Sequence, residues 1–247
     1  MIIDKKEKHL WPAISGAADY LAHIKTDLKL PENIIFNPVS SVTKTVMNNY
    51  KNKYYRLDAD IYVLEGHNAA YVTNFGIGAP AFAMIMELLT ALGCKNFIIT
   101  GFAGSLQKTL KPGDIVVCEK ALRDEGISSS YAAPEHFSYP SESLTNKIKK
   151  VLEAGKTPYH YGSTWTTDAL HRETAQEITA YQKAGIMTVE MEAAAAFAVA
   201  HHYKTNCAAI FAVSDQLANL KWEPAFGDKA VGEALRKILT VSLAALK

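Results

Sequence analysis

Residues 188–200 read T-V-E-M-E-A-A-A-A-F-A-V-A, and this stretch limits the fold more than any other. Alanine is the best helix former and the run lacks clustered β-branched residues, so a helix is predicted from Ala193 onward. A helix this apolar cannot lie on a surface and has to be buried by other elements. The short strand ahead of it carries Glu190, Met191 and Glu192 to the mouth of that helix. Two readings stay open. Glu192 is a surface charge held ionised by unpaired N–H groups and the positive end of the helix dipole. Alternatively, Met191 and Glu192 face a pocket, where a carboxylate accepts two hydrogen bonds at once, for example from sugar hydroxyls.

The rest of the chain supplies the layers such a helix needs. Strands are predicted at 33–37, closed by Pro38, and at 54–64 and 69–74 around a turn at 65–68. N-F-G-I-G-A-P follows at 74–80, then a helix over 81–92. Gly76 and Gly78 let the backbone turn sharply and approach a ligand, and Pro80 suits a first helical turn. Ala81 stands where a dinucleotide fingerprint needs its third glycine, so a tight turn and a ligand loop are both open. A strand at 96–100 enters G-F-A-G-S at 101–105, read as a second glycine-rich turn containing Ala103 and Gly104. Two such turns at strand ends predict a crevice at the carboxyl edge of a sheet.

K-P-G-D at 111–114 launches a strand at 115–118, followed by A-L-R-D-E-G at 121–126. Residues 127–139 read as a long loop, a lid or binding segment. A helix at 141–154 and a strand at 159–164 deliver T-T-D at 166–168, and a helix at 173–183 precedes the central stretch. The apolar strand 206–213 ends at Ser214 and Asp215, a turn or cap residue on one reading and a functional acid on the other. A helix at 230–246 closes the chain. Alternating strands and helices predict an α/β layered fold, and 247 residues with 49% hydrophobic content suit one domain, 1–247.

Lys plus Arg number 26 against 25 for Asp plus Glu, so no strong field recruits nucleic acid or a membrane surface. The expected partners are a small molecule and further copies of the chain. Cys94, Cys118 and Cys207 are scattered, which predicts buried reduced thiols in a cytoplasmic protein and no metal site. The charged first thirty residues do not form a signal peptide; they are expected to wrap the domain or meet a neighbouring subunit.

From Tyr71 to the C-terminus, the motifs G-I-G-A-P, T-G-F-A-G, L-K-P-G-D-I-V-V, R-D-E-G, T-T-D, V-E-M-E-A-A-A and V-S-D occur in an order that resembles the nucleoside phosphorylase and nucleosidase superfamily. The resemblance implies a three-layer fold with a central mixed β-sheet flanked by helices, assembled as a homo-oligomer (dimer, trimer or hexamer). It implies cleavage of the N-glycosidic bond of a nucleoside, a purine one by virtue of Asp215, with no cofactor and with phosphate or water as nucleophile. By that likeness Met191 and Glu192 hold the ribose, Asp215 is aimed at N7 of the base, and His9 reaches a neighbour's ribose 5′ end. Glu190, Gly78, Ala103, Gly104, Thr167, Asp168 and Leu170 lie in the matching motifs as further substrate contacts. Such chemistry develops positive charge on the sugar and negative charge on the base. An acid at Asp215 works near neutral pH when burial raises its pKa.

The pattern also departs from the phosphorolytic form. Phosphate-gripping arginines are missing: the early strand reads I-F-N-P-V-S-S-V-T-K and Ile99 occupies the second arginine position. Lys44, Lys53 or Arg123 would have to substitute, lysine only as a point charge. The balance tips slightly to water. Leu170 stands where relatives carry a base-stacking aromatic, leaving Trp165 or an aromatic from the 131–139 loop for that task. A nucleoside-binding or sensing protein without turnover is the competing class; a dinucleotide-dependent oxidoreductase lacks its fingerprint.

Overall fold

Two helical layers enclose one mixed sheet in the computed structural model, which describes residues 6–247. The first five residues of the N-terminal segment expected to wrap the domain lie outside the described residues. The chain runs through α1 (Ala17–His23), β1 (Asn33–Phe36), α2 (Ser40–Asn49), β2 (Asn52–Arg56), β3 (Asp60–Leu64), β4 (Ala69–Thr73), α3 (Ala79–Ala91) and β5 (Asn96–Ser105). It continues through β6 (Ile115–Asp124), β7 (Phe137–Ser138), α4 (Glu142–Ala154), β8 (His160–Thr167) and α5 (Ala175–Lys183). The last elements are β9 (Thr188–Glu190), α6 (Ala193–His202), β10 (Asn206–Gln216), β11 (Glu223–Pro224) and α7 (Lys229–Ala245).

β5 organises the sheet. β10 lies parallel along one of its edges from Asn206 opposite Asn96 to Gln216 opposite Ser105. The other edge is shared: parallel β1 ends at the pair Phe36–Ile99, and antiparallel β9 begins at the pair Val189–Gly104. A notch is left along β5 between those two strand ends. Because β10 pairs β6, β6 pairs β8 and β8 pairs β9, five strands, β5 included, close into a ring. The wing of β1, β4, β3 and β2 extends from it.

Period-two alternation divides the core. Cys207, Ala209 and Phe211 of β10 face the cluster under α3 and α6, whereas Ala208, Ile210 and Ala212 face the cluster beside α4 and α7. All eight residues of α6 from Ala193 to Ala200 are buried, as the alanine run required. Small side chains let α6 pack closely on α3. All three cysteines are free and buried, and burial pushes their thiols up. Among the described residues no helix is long and apolar enough to cross a membrane.

Several elements differ from expectation. The stretch 54–64 contains parts of two strands, broken at Asp58 in the left-handed region (φ 48). G-F-A-G-S continues β5 and is not a turn, since strand partners on β10 and β9 keep it extended. β10 likewise runs through Asp215, with a bulge at Ser214 between the pairings of Val213 and Asp215. The loop 127–139 holds a short 3-10 turn and β7. α2 was not anticipated; its polar, β-branched sequence buries only Val42 and Val46.

Candidate active site

β9 ends at Glu190, which is 7% exposed. One of its oxygens accepts the Thr166 hydroxyl, and the other accepts the N–H groups of Glu192 and Ala193, each at 2.7 Å. Thr166 Oγ1 accepts a third N–H, that of Ala194, at 3.0 Å. These donors belong to the first turn of α6, so Glu190 and Thr166, opposed in the β8–β9 register, cap the buried helix. Glu190, expected among the substrate contacts, has one oxygen engaged by Thr166 of β8 and the other by the start of α6. Burial and the neighbouring Glu192 charge push its carboxyl up to about 8.

The cap frees Glu192 for another task. Its Oε1 accepts the N–H of Gly78 at 2.7 Å, so the carboxylate links the start of α6 to the start of α3. The expectation that α6's own N–H groups hold Glu192 is therefore corrected. Gly78 has φ 89, a conformation that favours glycine and aims its N–H at the acid. Burial pushes the Glu192 carboxyl up, and the Gly78 N–H draws it down. A carboxylate has about four lone-pair sites, so acceptor capacity remains beyond Gly78. Met191 completes this corner, its Cε 3.9 Å from where a Cβ on Gly78 would lie.

Asp215, 8% exposed, follows the β10 bulge. Its Oδ1 accepts Ser214 Oγ at 2.7 Å and its Oδ2 accepts the indole N–H of Trp222 at 3.0 Å. Gly104 lies opposite, and here the missing side chain makes room. An added Cβ would stand 3.1 Å from Asp215 Oδ2, 3.1 Å from Val189 Cγ1 and 2.8 Å from Leu217 Cδ1. Asp215, Gly104 and Val189 thus lie abreast on β10, β5 and β9, about 10 Å across two strand spacings. Three residues beyond Val189 comes Glu192, beside the notch. Ala103, on β5 between them, is 2% exposed and accepts Ser214 Oγ with its carbonyl at 3.5 Å.

Other expected site residues have supporting positions. Asp168 Oδ2 accepts the Gly126 N–H at 2.9 Å, which ties the R-D-E-G loop to the end of β8, and Thr167 Oγ1 accepts the N–H of Ala169 at 3.2 Å just beyond that strand. Leu170 is 53% exposed on a 3-10 turn. Trp165 is 1% exposed and donates to Asp124 Oδ2 at 2.9 Å, so it is sealed from any base and is corrected as a stacking residue. The Arg123 guanidinium, a possible substitute for the missing arginines, donates to Ser128 Oγ at 2.8 Å and to the Ala133 carbonyl at 2.6 Å within its own loop. Ile99 is buried, and the adjacent fully buried Asn37 forms neutral bonds with Thr100 Oγ1 and the Val39 N–H.

His9 is not brought to Glu192 within this chain. It lines a cavity of about 350 Å³ with Arg123, Tyr131 and His201, along the C-terminal half of α6. A shallower recess along Met47, Tyr50 and Glu65 also lies away from both acids. Among the described residues no cluster of three or more His, Cys, Asp or Glu could hold a metal ion.

Two neighbours of Asp215 escaped the sequence reading. Glu173 is half-buried, and burial together with the Asp215 charge pushes its carboxyl up to about 7. The capping box of Thr174 and Glu177, which starts α5 at Ala175, was the signal that Glu173 lies outside the helix. Trp222 had no local signal.

The family model of the phosphorylase superfamily matches residues 42–245. The chain belongs to the phosphorylase superfamily. Among relatives in this superfamily, it is 30% identical over 156 residues to a guanosine phosphorylase of Halorubrum lacusprofundi, covering 61% of this chain and 65% of that protein. It is 32% identical over 153 residues to a DeoD-type purine nucleoside phosphorylase of Caldanaerobacter subterraneus, covering 59% and 64%. The matched region thus spans less than two thirds of these curated relatives. The AMP nucleosidase structure from Bacteroides thetaiotaomicron shares the fold at a TM-score of 0.77 and 21% identity, over 98% of this chain and 96% of that one. Purine nucleoside phosphorylase from Toxoplasma gondii does so at 0.77 and 22%, over 88% and 91%.

Proposed function

We propose that this chain, as one domain over residues 1–247, cleaves the N-glycosidic bond of a purine nucleoside to free base and a ribose product, in the cytoplasm and as a homo-oligomer. The observation that carries the reading is that Asp215 of β10 and Val189 of β9, three residues before Glu192, flank Gly104 from opposite edges of β5. Guanosine and purine nucleoside phosphorylases among its relatives support the substrate class.

In this reading Glu192 accepts hydrogen bonds from the ribose 2′ and 3′ hydroxyls. Electron density drawn onto those oxygens eases the positive charge that develops as the C–N bond breaks. Met191 packs against the sugar. Asp215 passes a proton to N7 as the C–N bond breaks and then accepts the resulting N7–H, which stabilises the departing purine; Glu173, the neighbouring acid, returns a proton to Asp215, and the attacking water releases one in turn. Water is favoured as the nucleophile. Ile99 and Asn37 leave the expected anion site neutral, and Arg123 is engaged by its loop.

A panel of nucleosides incubated with and without phosphate tests this. Base release independent of phosphate is expected, and accumulation of ribose 1-phosphate would overturn the choice of water. Asp215→Asn should lower kcat/KM by about 10²- to 10⁴-fold, the range of a lost acid or base. Silence of the wild type across the panel would end the reading.

A further inference from the structure

Asp215 is a buried acid, yet one of its oxygens is held by a side chain that stands largely in solvent. Trp222 is 59% exposed and donates its indole N–H to Asp215 Oδ2 at 3.0 Å. Phe226, 46% exposed, has its ring centroid 6.3 Å from Trp222 and 5.3 Å from Phe102, which it meets edge-on. Phe102 lies on β5 two residues before Gly104, so an aromatic strip runs beside the acid. Exposed indole and phenyl faces are large apolar surfaces, and flat π-systems prefer offset or edge contacts with other rings. Meanwhile Leu170 offers no ring, and Trp165 is sealed inside the core.

We propose that Trp222 seats the leaving base: its N–H fixes the Asp215 carboxylate, and its ring, backed by Phe226, stacks on the purine. The inference rests on the nucleoside-cleaving reading above. Each carboxylate oxygen has a second lone-pair site, so a donor on the base bonds Asp215 while Trp222 stays in place. Two donors sharing one carboxylate each lie about 3 Å from it, which brings base and indole within stacking reach. Trp222 is a positioning residue through its N–H and a binding residue through its ring.

The two roles separate in Trp222→Phe, which keeps a ring and loses the donor, and Trp222→Ala, which loses both. Steady-state kinetics on the best purine nucleoside should show W222F with kcat lowered roughly tenfold, the scale of one hydrogen bond to a charged group, and KM nearly unchanged. W222A should show the same loss in kcat with KM raised roughly tenfold by lost stacking. Free guanine, hypoxanthine or adenine should quench wild-type tryptophan emission and leave W222F unquenched. Wild-type kinetics in W222A, or full quenching in W222F, overturns the assignment while leaving nucleoside cleavage intact. A wild type that neither cleaves a nucleoside nor is quenched by a base overturns both.

Discussion

Gly104→Ala should damage activity out of proportion to stability. The new methyl group would sit 2.8 Å from Leu217 Cδ1, 3.1 Å from Val189 Cγ1 and 3.1 Å from Asp215 Oδ2. Ordinary contact begins at about 3.5 Å, so each neighbour has to yield by several tenths of an ångström. Leu217 can rotate its methyl aside, whereas Val189 is fixed at χ1 on a paired strand. Overpacking of this kind costs about 1–3 kcal/mol, or a fall in Tm of roughly 2–10 °C for a chain of this size. Asp215 Oδ2 is displaced at the same time, which stretches the bond to Trp222. Misplacement of a reacting group by a fraction of an ångström should lower kcat/KM by roughly tenfold or more. Thermal unfolding by circular dichroism and a base-release assay on one preparation measure both effects. A variant with a lowered Tm and wild-type kcat/KM would refute the placement of Asp215 at the reacting base, and one with an unchanged Tm would refute the packing.

Glu190→Ala leaves the N–H groups of Glu192 and Ala193 without their acceptor, and unmet buried donors cost about 1–3 kcal/mol each; calorimetry should find a clear loss of Tm, and a wild-type Tm would disprove the cap. Glu190→Gln isolates the titration. Since the folded carboxyl is raised from 4.5 to about 8, the native chain keeps a proton that the unfolded chain releases. The associated stability is complete below about pH 4.5 and is lost as pH rises through about 8. Urea midpoints of wild type should therefore fall relative to E190Q between pH 5 and 8, by up to about 1.4 kcal/mol per pH unit; a difference that stays flat contradicts this. If Glu173 resupplies the proton, wild-type kcat/KM should decline as pH rises through about 7, and Glu173→Gln should lower the rate and erase that limb. An identical pH profile in E173Q would remove Glu173 from the mechanism.

What could be read from residues alone was local. The alanine run forced a buried helix, the apolar stretch before Asp215 announced a central strand, and Gly78 marked a turn because only its neighbours in sequence decide its φ. Glu190 and Glu192 could not be told apart by composition: their division of labour depends on β8 placing Thr166 opposite Glu190, a contact spanning 24 positions. Gly104 was misread as a turn because a glycine that clears space for a carboxylate looks the same in sequence as one that bends the chain. The short strand before the alanine run was legible, but the ring that β9 closes was not, since its pairings with β5 and β8 join residues far apart in the chain. Trp222 meets Asp215 through a loop whose path no periodicity encodes.

The notch beside β5 is bounded by the ends of two strands, not by loops. If the sugar of the proposed substrate lies there, anything wider would have to prise β1 or β9 off β5, rupturing ladder bonds that also hold the central core. Trp222 and Phe226, beside Asp215, are largely exposed. On the proposed reading, selection can retune the choice of base one exposed side chain at a time, whereas a new sugar would require re-laying the backbone.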